Sequence, residues 1–461
     1  MASWVRWSCL MTELDLAAYV QADATALAEM VRSGAVTAEE LRALADAQHA
    51  ATHAHINAIV EWYDEPTPSS SSDGLLAGVP FLRKDYGSAE AGRLVEMGSR
   101  LAAGHRAAET AEYIRRIQTA GAQILGRTAV PEFIQHGSTE SAAHGLTRNP
   151  TDPSISPGGS SGGAAAAVAA GVVPVAHASD CAGSIRIPAS TCGLIGLKPG
   201  RHRVPWPGAT PQNRGAWGGI ASEFVVTRSV RDARLFLDIL GDGSYVEVPD
   251  RQLMIAYSTE HWAGAETDDE VVAATEAVVG QLRDAGHFVE DIGTPFDYEQ
   301  LMSTWHPLFT WWTGAMVSEL EAAGHVVQPD SLEPLTQLAV TESRLQTPEG
   351  RTEAAATASL ITDELSGRLG GFDLILNPTL ARTSIPLRTV AGDVADLDLY
   401  MRVNNEIFPY NYLFNVTGWP SLSIPAGHSS TGHPIGVQLS AGLGSERLLL
   451  SVADALLAPP A

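Results

Sequence analysis

Two short segments built almost wholly of small residues constrain this chain more than any other feature. They are Pro157-Gly158-Gly159-Ser160-Ser161-Gly162-Gly163 and Asp180-Cys181-Ala182-Gly183-Ser184-Ile185-Arg186. Glycine marks backbone that bends sharply or comes close to another group, because it lacks a Cβ. Small side chains also leave backbone N–H groups uncovered, and stabilising a developing oxyanion requires such groups. Between the two segments lies Ala164–Ala170, almost pure alanine. A helix of small apolar side chains all round offers no face to water and is expected to be buried. Val172–His177 follows as a strand.

Each segment alone fits an ordinary structural loop. Two sharper alternatives exist for the first. A phosphate-binding loop would precede a helix, as this one does, but it lacks the GK[ST] ending and follows Pro150, Pro153 and Pro157 instead of a strand. The run Gly158–Gly162 also matches the G-x-S-x-G form of a nucleophile elbow. That elbow needs a strand directly before it, and turn-forming residues stand there.

Along the chain, Asp23–Ala47 reads as two helices. Asp23 or Thr25 caps the first, Ser33-Gly34 ends it, and Thr37 with Glu40 forms a capping box for the second. Pro66–Asp73 is a Pro/Ser-rich loop, followed by a strand-like Leu75–Leu82. A helix is expected near Glu109–Ala120 and a strand at Gln123–Leu125. Later segments alternate: strand Leu253–Tyr257, helix Val271–Ala285, strand Phe288–Asp291. Strands at Leu374–Leu376, Ser421–Ile424 and Ile435–Leu439 precede a closing helix at Glu446–Leu457. Strands alternating with helices predict a layered α/β fold.

Composition narrows the setting. Apolar residues are 45% of the 461, enough for a large core. A net charge of −24 repels nucleic acid and anionic membranes. Three cysteines, Cys9, Cys181 and Cys192, give neither a disulfide framework nor a zinc pattern, and a reducing cytoplasm is the expected compartment. No stretch is apolar for long enough to span a bilayer. Residues 1–10 do not read as a signal peptide, and are the candidate for a disordered extension ahead of Met11.

Taken together, the motifs resemble those of the amidase-signature family. The resemblance runs from Ser156-Pro-Gly-Gly-Ser-Ser-Gly-Gly through the Ala-rich helix to Ser179-Asp-Cys-Ala-Gly-Ser-Ile-Arg-Ile-Pro-Ala and Cys192-Gly-Leu-Ile-Gly-Leu-Lys-Pro. Upstream, Gly78-Val-Pro-Phe-Leu-Arg-Lys-Asp is similar to the family's lysine motif. Downstream, Asn415-Val-Thr-Gly-Trp-Pro-Ser-Leu-Ser-Ile-Pro and Pro434-Ile-Gly-Val-Gln resemble its C-terminal signature. The resemblance covers nearly the whole chain. It implies one large α/β domain over residues 1–461, with a mixed central β-sheet flanked by helices.

It also implies roles. Ser184 is the nucleophile, Ser160 the relay after a cis peptide bond from Gly159, and Lys84 the base. A serine hydroxyl needs a base beside it, and Lys84 must be held neutral by burial to serve as one. The oxyanion hole falls to the backbone N–H groups of Cys181, Ala182, Gly183 and Ser184. The family usually has glycine where Ala182 stands, and alanine fits there if its φ is negative. Asp180 and Arg186 are read as structural charges holding the loop, and Ser161 as its hydrogen-bonding support. Cys181 lacks a histidine partner and reads as a small buried side chain. His136 and His177 read as satisfied packing residues.

The expected reaction is hydrolysis of a carboxylic amide C–N bond through a seryl acyl-enzyme, on a small-molecule substrate, with no cofactor and no metal. Trp305 and Trp311, in the aromatic run Trp305–Trp312, read first as core and second as a pocket wall. Trp206, Trp217 and Gln135 are further substrate-binding candidates. The aromatics favour bulky neutral amides, with anilides and carbamates in view. Two rivals stand beside this: a glutaminase-type subunit of a tRNA-dependent amidotransferase, and a non-catalytic binding protein on the same scaffold. A homodimer is the candidate assembly.

Overall fold

The computed structural model describes residues 14–67, 71, 73–205, 219–390 and 392–458. Its strands are β1 (Ile59–Thr67), β2 (Pro80–Lys84), β3 (Gln123–Thr128), β4 (Glu140–Ser141), β5 (Gly145–Leu146), β6 (Val175–Asp180), β7 (Ile195–Lys198), β8 (Ser222–Thr227), β9 (Met254–Tyr257), β10 (Phe288–Asp291), β11 (Leu374–Pro378), β12 (Ser421–His428) and β13 (Pro434–Ser440). Eleven of them form one sheet in the order β1-β3-β2-β6-β8-β7-β12-β13-β11-β9-β10. The sheet is mixed. The pairs β2/β3, β2/β6, β9/β11 and β9/β10 are parallel, and the remaining pairs antiparallel.

Alternation along the strands divides the core in two. In β11, Leu374 and Leu376 join one apolar cluster and Ile375 the other; in β9, Ile255 and Tyr257 join the first and Ala256 the second. Successive side chains of a strand point to opposite faces, so the sheet is packed on both sides. Near-continuous apolar strands suit such a position: every residue of β6 and β8 is buried.

The alanine-rich helix spans Gly162–Ala169 and is buried from Gly162 through Val168. At its start, Gly163 lies so close to the chain that a Cβ there would sit 2.5 Å from the Ala129 nitrogen and carbonyl oxygen. This contact explains why the segment needs small residues. Near the N-terminus, Asp23 caps the helix Ala24–Arg32, and Thr37 with Glu40 forms the expected capping box on the helix Ala38–Ile56.

Some elements differ from the sequence reading. The strand expected from Leu75 begins only at Pro80, because the backbone turns first: Ala77 N–H donates to Gly74 and Val79 N–H to Leu76, with Gly78 at φ +69°. Strands β1, β7 and β8 were not anticipated. β1 is an edge strand carrying Pro66 and three acidic residues, a composition that blunts unwanted edge pairing but masks the strand signal.

Candidate active site

β2 and β6 are parallel neighbours, with Leu82 opposite Ala176. Their C-terminal ends therefore lie at the same edge of the sheet. Lys84 is the last residue of β2, and Asp180 the last of β6. Ser160 and Ser161 precede the helix that begins at Gly162. Three segments far apart in sequence thus deliver Lys84, Ser160 and the Cys181–Ser184 turn to one place, as sheets of this kind commonly do at their carboxyl ends.

Lys84 is fully buried, and its Nζ lies 2.9 Å from Ser160 Oγ, 2.8 Å from Ser161 Oγ and 2.9 Å from Ser179 Oγ, with the Ser179 carbonyl oxygen at 3.4 Å. Burial presses the Lys84 pKa down to about 7, against the opposing pull of Cys181, Glu223 and Asp180. The Ser161 hydroxyl donates to the Ser179 carbonyl at 3.3 Å and accepts the Ser179 N–H at 3.3 Å. Ser161 therefore touches the lysine itself and does more than brace its own loop. Ser179 is a lysine partner that the sequence reading missed. Its place beside Asp180 at the end of a buried strand was the available signal.

The Gly159–Ser160 peptide bond is cis. Ser160 is fully buried, whereas Ser184 keeps 7% exposure and lines a narrow cavity of about 20 Å³. Ser161 N–H donates to the Ser184 carbonyl oxygen at 3.3 Å. The Ser184 hydroxyl makes no hydrogen bond among the described residues, so the Ser184–Ser160 link is open in this conformation. Hydrogen bonds of this kind often tighten only when a substrate is seated.

The turn bearing Ser184 is held by a buried ion pair. Asp180 Oδ2 lies 2.9 Å from Arg186 Nε. Asp180 also accepts the N–H groups of Gly183 at 2.7 Å and Ile185 at 3.2 Å, and the Asn415 amide at 2.9 Å. Burial alone would raise the Asp180 carboxyl, but Arg186, Lys198 and Asn415 hold it well below the usual carboxylate range. Arg186 further reaches Gln438 at 2.8 Å and Asn415 at 2.5 Å. These contacts tie the turn to β13 through Gln438 and to the helix Tyr412–Val416 through Asn415.

The oxyanion-hole expectation needs one correction. The Gly183 N–H is spent on Asp180, so it is not free for an oxyanion. The N–H groups of Cys181, Ala182 and Ser184 show no acceptor among the described residues. Ala182 avoids positive φ, the condition under which alanine fits, whereas Gly183 sits at φ +111°. Burial, reinforced by Asp180, pushes the Cys181 thiol up to about 12, so it is no thiolate nucleophile.

Gln135 and Trp305 do line the Ser184 cavity, together with Phe309, Tyr400, Phe408 and Tyr412. Trp305 Nε1 donates to the Cys181 carbonyl at 3.3 Å, and its ring stacks on Phe309. Trp311 does not line the cavity. It packs against Trp312 with Arg351 over its ring at 5.4 Å. On the helix Tyr298–Ala322, a residue four positions from Trp305 shares its face, while one six positions on is rotated far round. Phe309 is thus the wall residue, as helical spacing indicates. Trp206 and Trp217 lie outside the described residues. His177 is satisfied as expected, but His136 is not: among the described residues neither ring nitrogen has a hydrogen bond, and a carboxylate oxygen of Glu333 is 3.8 Å from Nε2. Among the described residues no cluster of three or more His, Cys, Asp or Glu is arranged to hold a metal ion, and no helix is long and apolar enough to cross a membrane.

The structure thus brings buried Lys84 against Ser160, which follows a cis bond, and Ser161 against the turn that bears Ser184. The chain matches the Amidase family model over residues 29–450 and belongs to that family. It is an amidase, a hydrolase of amide C–N bonds. It is 34% identical over 473 residues to the 6-aminohexanoate-cyclic-dimer hydrolase of Paenarthrobacter ureafaciens, covering 94% of each chain. The solved structure of a 6-aminohexanoate cyclic dimer hydrolase complexed with substrate superposes with a TM-score of 0.86 at 30% identity, over 95% of this chain and 96% of that one. A bacterial aryl acylamidase of the amidase signature family shares the fold, with a TM-score of 0.80 at 24% identity over 94% of this chain and 95% of that one.

Proposed function

We propose that amide hydrolysis proceeds through Ser184 as nucleophile, Ser160 as proton relay and Lys84 as base, in a cytoplasmic enzyme. The observation that carries this is the Lys84 Nζ–Ser160 Oγ contact of 2.9 Å in a fully buried setting. The Ser161 hydroxyl proton is committed to the Ser179 carbonyl, so Lys84 donates to Ser161 and its lone pair remains for the Ser160 proton. Lys84 then takes the Ser160 proton, Ser160 takes the Ser184 proton, and Ser184 Oγ bonds to the amide carbonyl carbon. The resulting oxyanion is met by the N–H groups of Cys181, Ala182 and Ser184. As the C–N bond breaks, the same relay returns the proton to the departing amine. Water, deprotonated by that route, releases the acid.

The aromatic wall of Trp305, Phe309, Tyr400 and Tyr412 favours an apolar acyl or amine portion. Anilides are one candidate class. The relative named above suggests a second, aliphatic amides of the 6-aminohexanoate type. The test is release of amine and acid from a panel of aryl, alkyl and cyclic amides by the purified chain. Turnover by wild type, abolished in Ser184→Ala and in Lys84→Ala, is expected. Unimpaired turnover in Lys84→Ala would overturn the relay.

A further inference from the structure

Behind Lys84 lies a second buried polar pair that the relay does not use. His177 stands on β6 and Glu223 on the adjacent β8, where Glu223 is the register partner of Ser179. His177 Nε2 lies 2.7 Å from Glu223 Oε2, and its Nδ1 accepts the backbone N–H of Lys84 at 3.3 Å. Both side chains are fully enclosed. An Nδ1 that accepts a hydrogen bond carries no proton, so the ring is neutral and gives its single N–H to Glu223. The pair therefore carries the charge of the carboxylate alone. The other oxygen, Glu223 Oε1, has no hydrogen-bond partner among the described residues, and Gly87 packs so tightly against it that a Cβ there would sit 1.8 Å away.

We propose that Glu223 is a positioning residue for the reaction: a fixed negative charge, anchored through His177 to the Lys84 backbone, that sets how strongly Lys84 holds a proton. This rests on Lys84 being the base of the relay. Buried charges interact strongly, because little solvent screens them. Glu223 counteracts the burial that drives the Lys84 ammonium to shed its proton. Other groups face the same lysine: Asp180 and Cys181 from the end of β6, and the hydroxyls of Ser160, Ser161 and Ser179. Around the pair itself stand Arg83, which acts with Lys84 to disfavour charge on His177, and Tyr113, whose ring meets His177 edge-on at 4.6 Å. None of these replaces the Glu223 charge on the β8 side.

The experiment is the pH profile of kcat/KM for amide hydrolysis in wild type, Glu223→Gln and Glu223→Met, with thermal midpoints measured alongside. Gln keeps an acceptor for His177, whereas Met removes charge and acceptor together. Without the carboxylate, the Lys84 ammonium is less stabilised, so the acid limb should move to lower pH by at least about half a unit in both variants. The plateau should fall, because the base is weaker. An acid limb that stays in place in either folded variant overturns the proposal, since a merely structural pair would lower the midpoint without moving the limb. A Lys84→Ala variant that keeps the wild-type limb would instead overturn the relay assignment, and this inference with it.

Discussion

Lys84 Nζ and Ser160 Oγ are 2.9 Å apart, with both side chains withdrawn completely from solvent. With the lysine pKa near 7, the proposed relay would change from blocked to competent as pH rises. Activity should be present above that value and lost as pH falls through it. A kcat/KM profile that stays flat from pH 5 to 9 would contradict this.

The same burial has a stability cost with a defined pH window. The folded-state pKa is depressed to about 7 from an ordinary 10.5. The unfolded chain then binds more protons between those values, so stability rises with pH across that window, and the cost is fully present below it. Lys84→Met should therefore gain stability relative to wild type as pH falls from about 10 to 6, set against the loss of the lysine's bonds to Ser160, Ser161 and Ser179. The gain should shrink towards pH 10. Urea unfolding at several pH values checks both the sign and the trend.

Removing one partner of the Asp180–Arg186 pair strands a buried charge. Asp180→Ala should cost about 3–5 kcal/mol and abolish turnover, because the turn carrying Ser184 loses the acceptor for the Gly183 and Ile185 N–H groups. Denaturant midpoints with a parallel activity assay test this.

The two tryptophans should separate cleanly. Trp305→Ala opens the cavity wall and releases its hydrogen bond to Cys181, so kcat/KM on a bulky amide should fall by roughly 10-fold or more, as expected for loss of at least about 1.4 kcal/mol of apolar contact. Trp311→Ala, which leaves the cavity untouched, should stay within about 2-fold of wild type. Steady-state kinetics on one anilide decides it.

Cys181 lies close to the proposed nucleophile in sequence but is held as a thiol by burial, with its pKa pushed up to about 12. Alkylating reagents at pH 7 should leave activity intact, and Cys181→Ser should retain turnover. Stoichiometric inactivation with alkylation mapped to Cys181 would contradict this.

Much of the architecture was legible because local signals and tertiary demands agreed. The alanine-rich helix, the Thr37–Glu40 capping box and the apolar runs of β9, β11 and β13 announce themselves in composition and spacing. The motifs carrying Lys84, Ser160 and Ser184 were legible through family resemblance. Sheet order, edge strand β1 and the neighbours of Lys84 depend on contacts between distant segments, which periodicity does not encode. Ser179 and the His177–Glu223 pair acquire their meaning only when β2, β6 and β8 lie side by side. The Gly183 N–H was expected to face an oxyanion, and it faces Asp180 instead. Of the two readings of the aromatic run, core and pocket wall, the second holds for Trp305 and not for Trp311, because helical rotation divides the run into two faces.

The decisive measurement is mass-spectrometric mapping of the covalent adduct left by a serine-directed fluorophosphonate. A single adduct on Ser184, absent from Ser184→Ala and formed at least about 100-fold more slowly in Lys84→Ala, is predicted. An adduct on Ser160 or Cys181 in an active enzyme, or equally fast labelling of Ser184 without Lys84, would contradict the Ser184–Ser160–Lys84 relay.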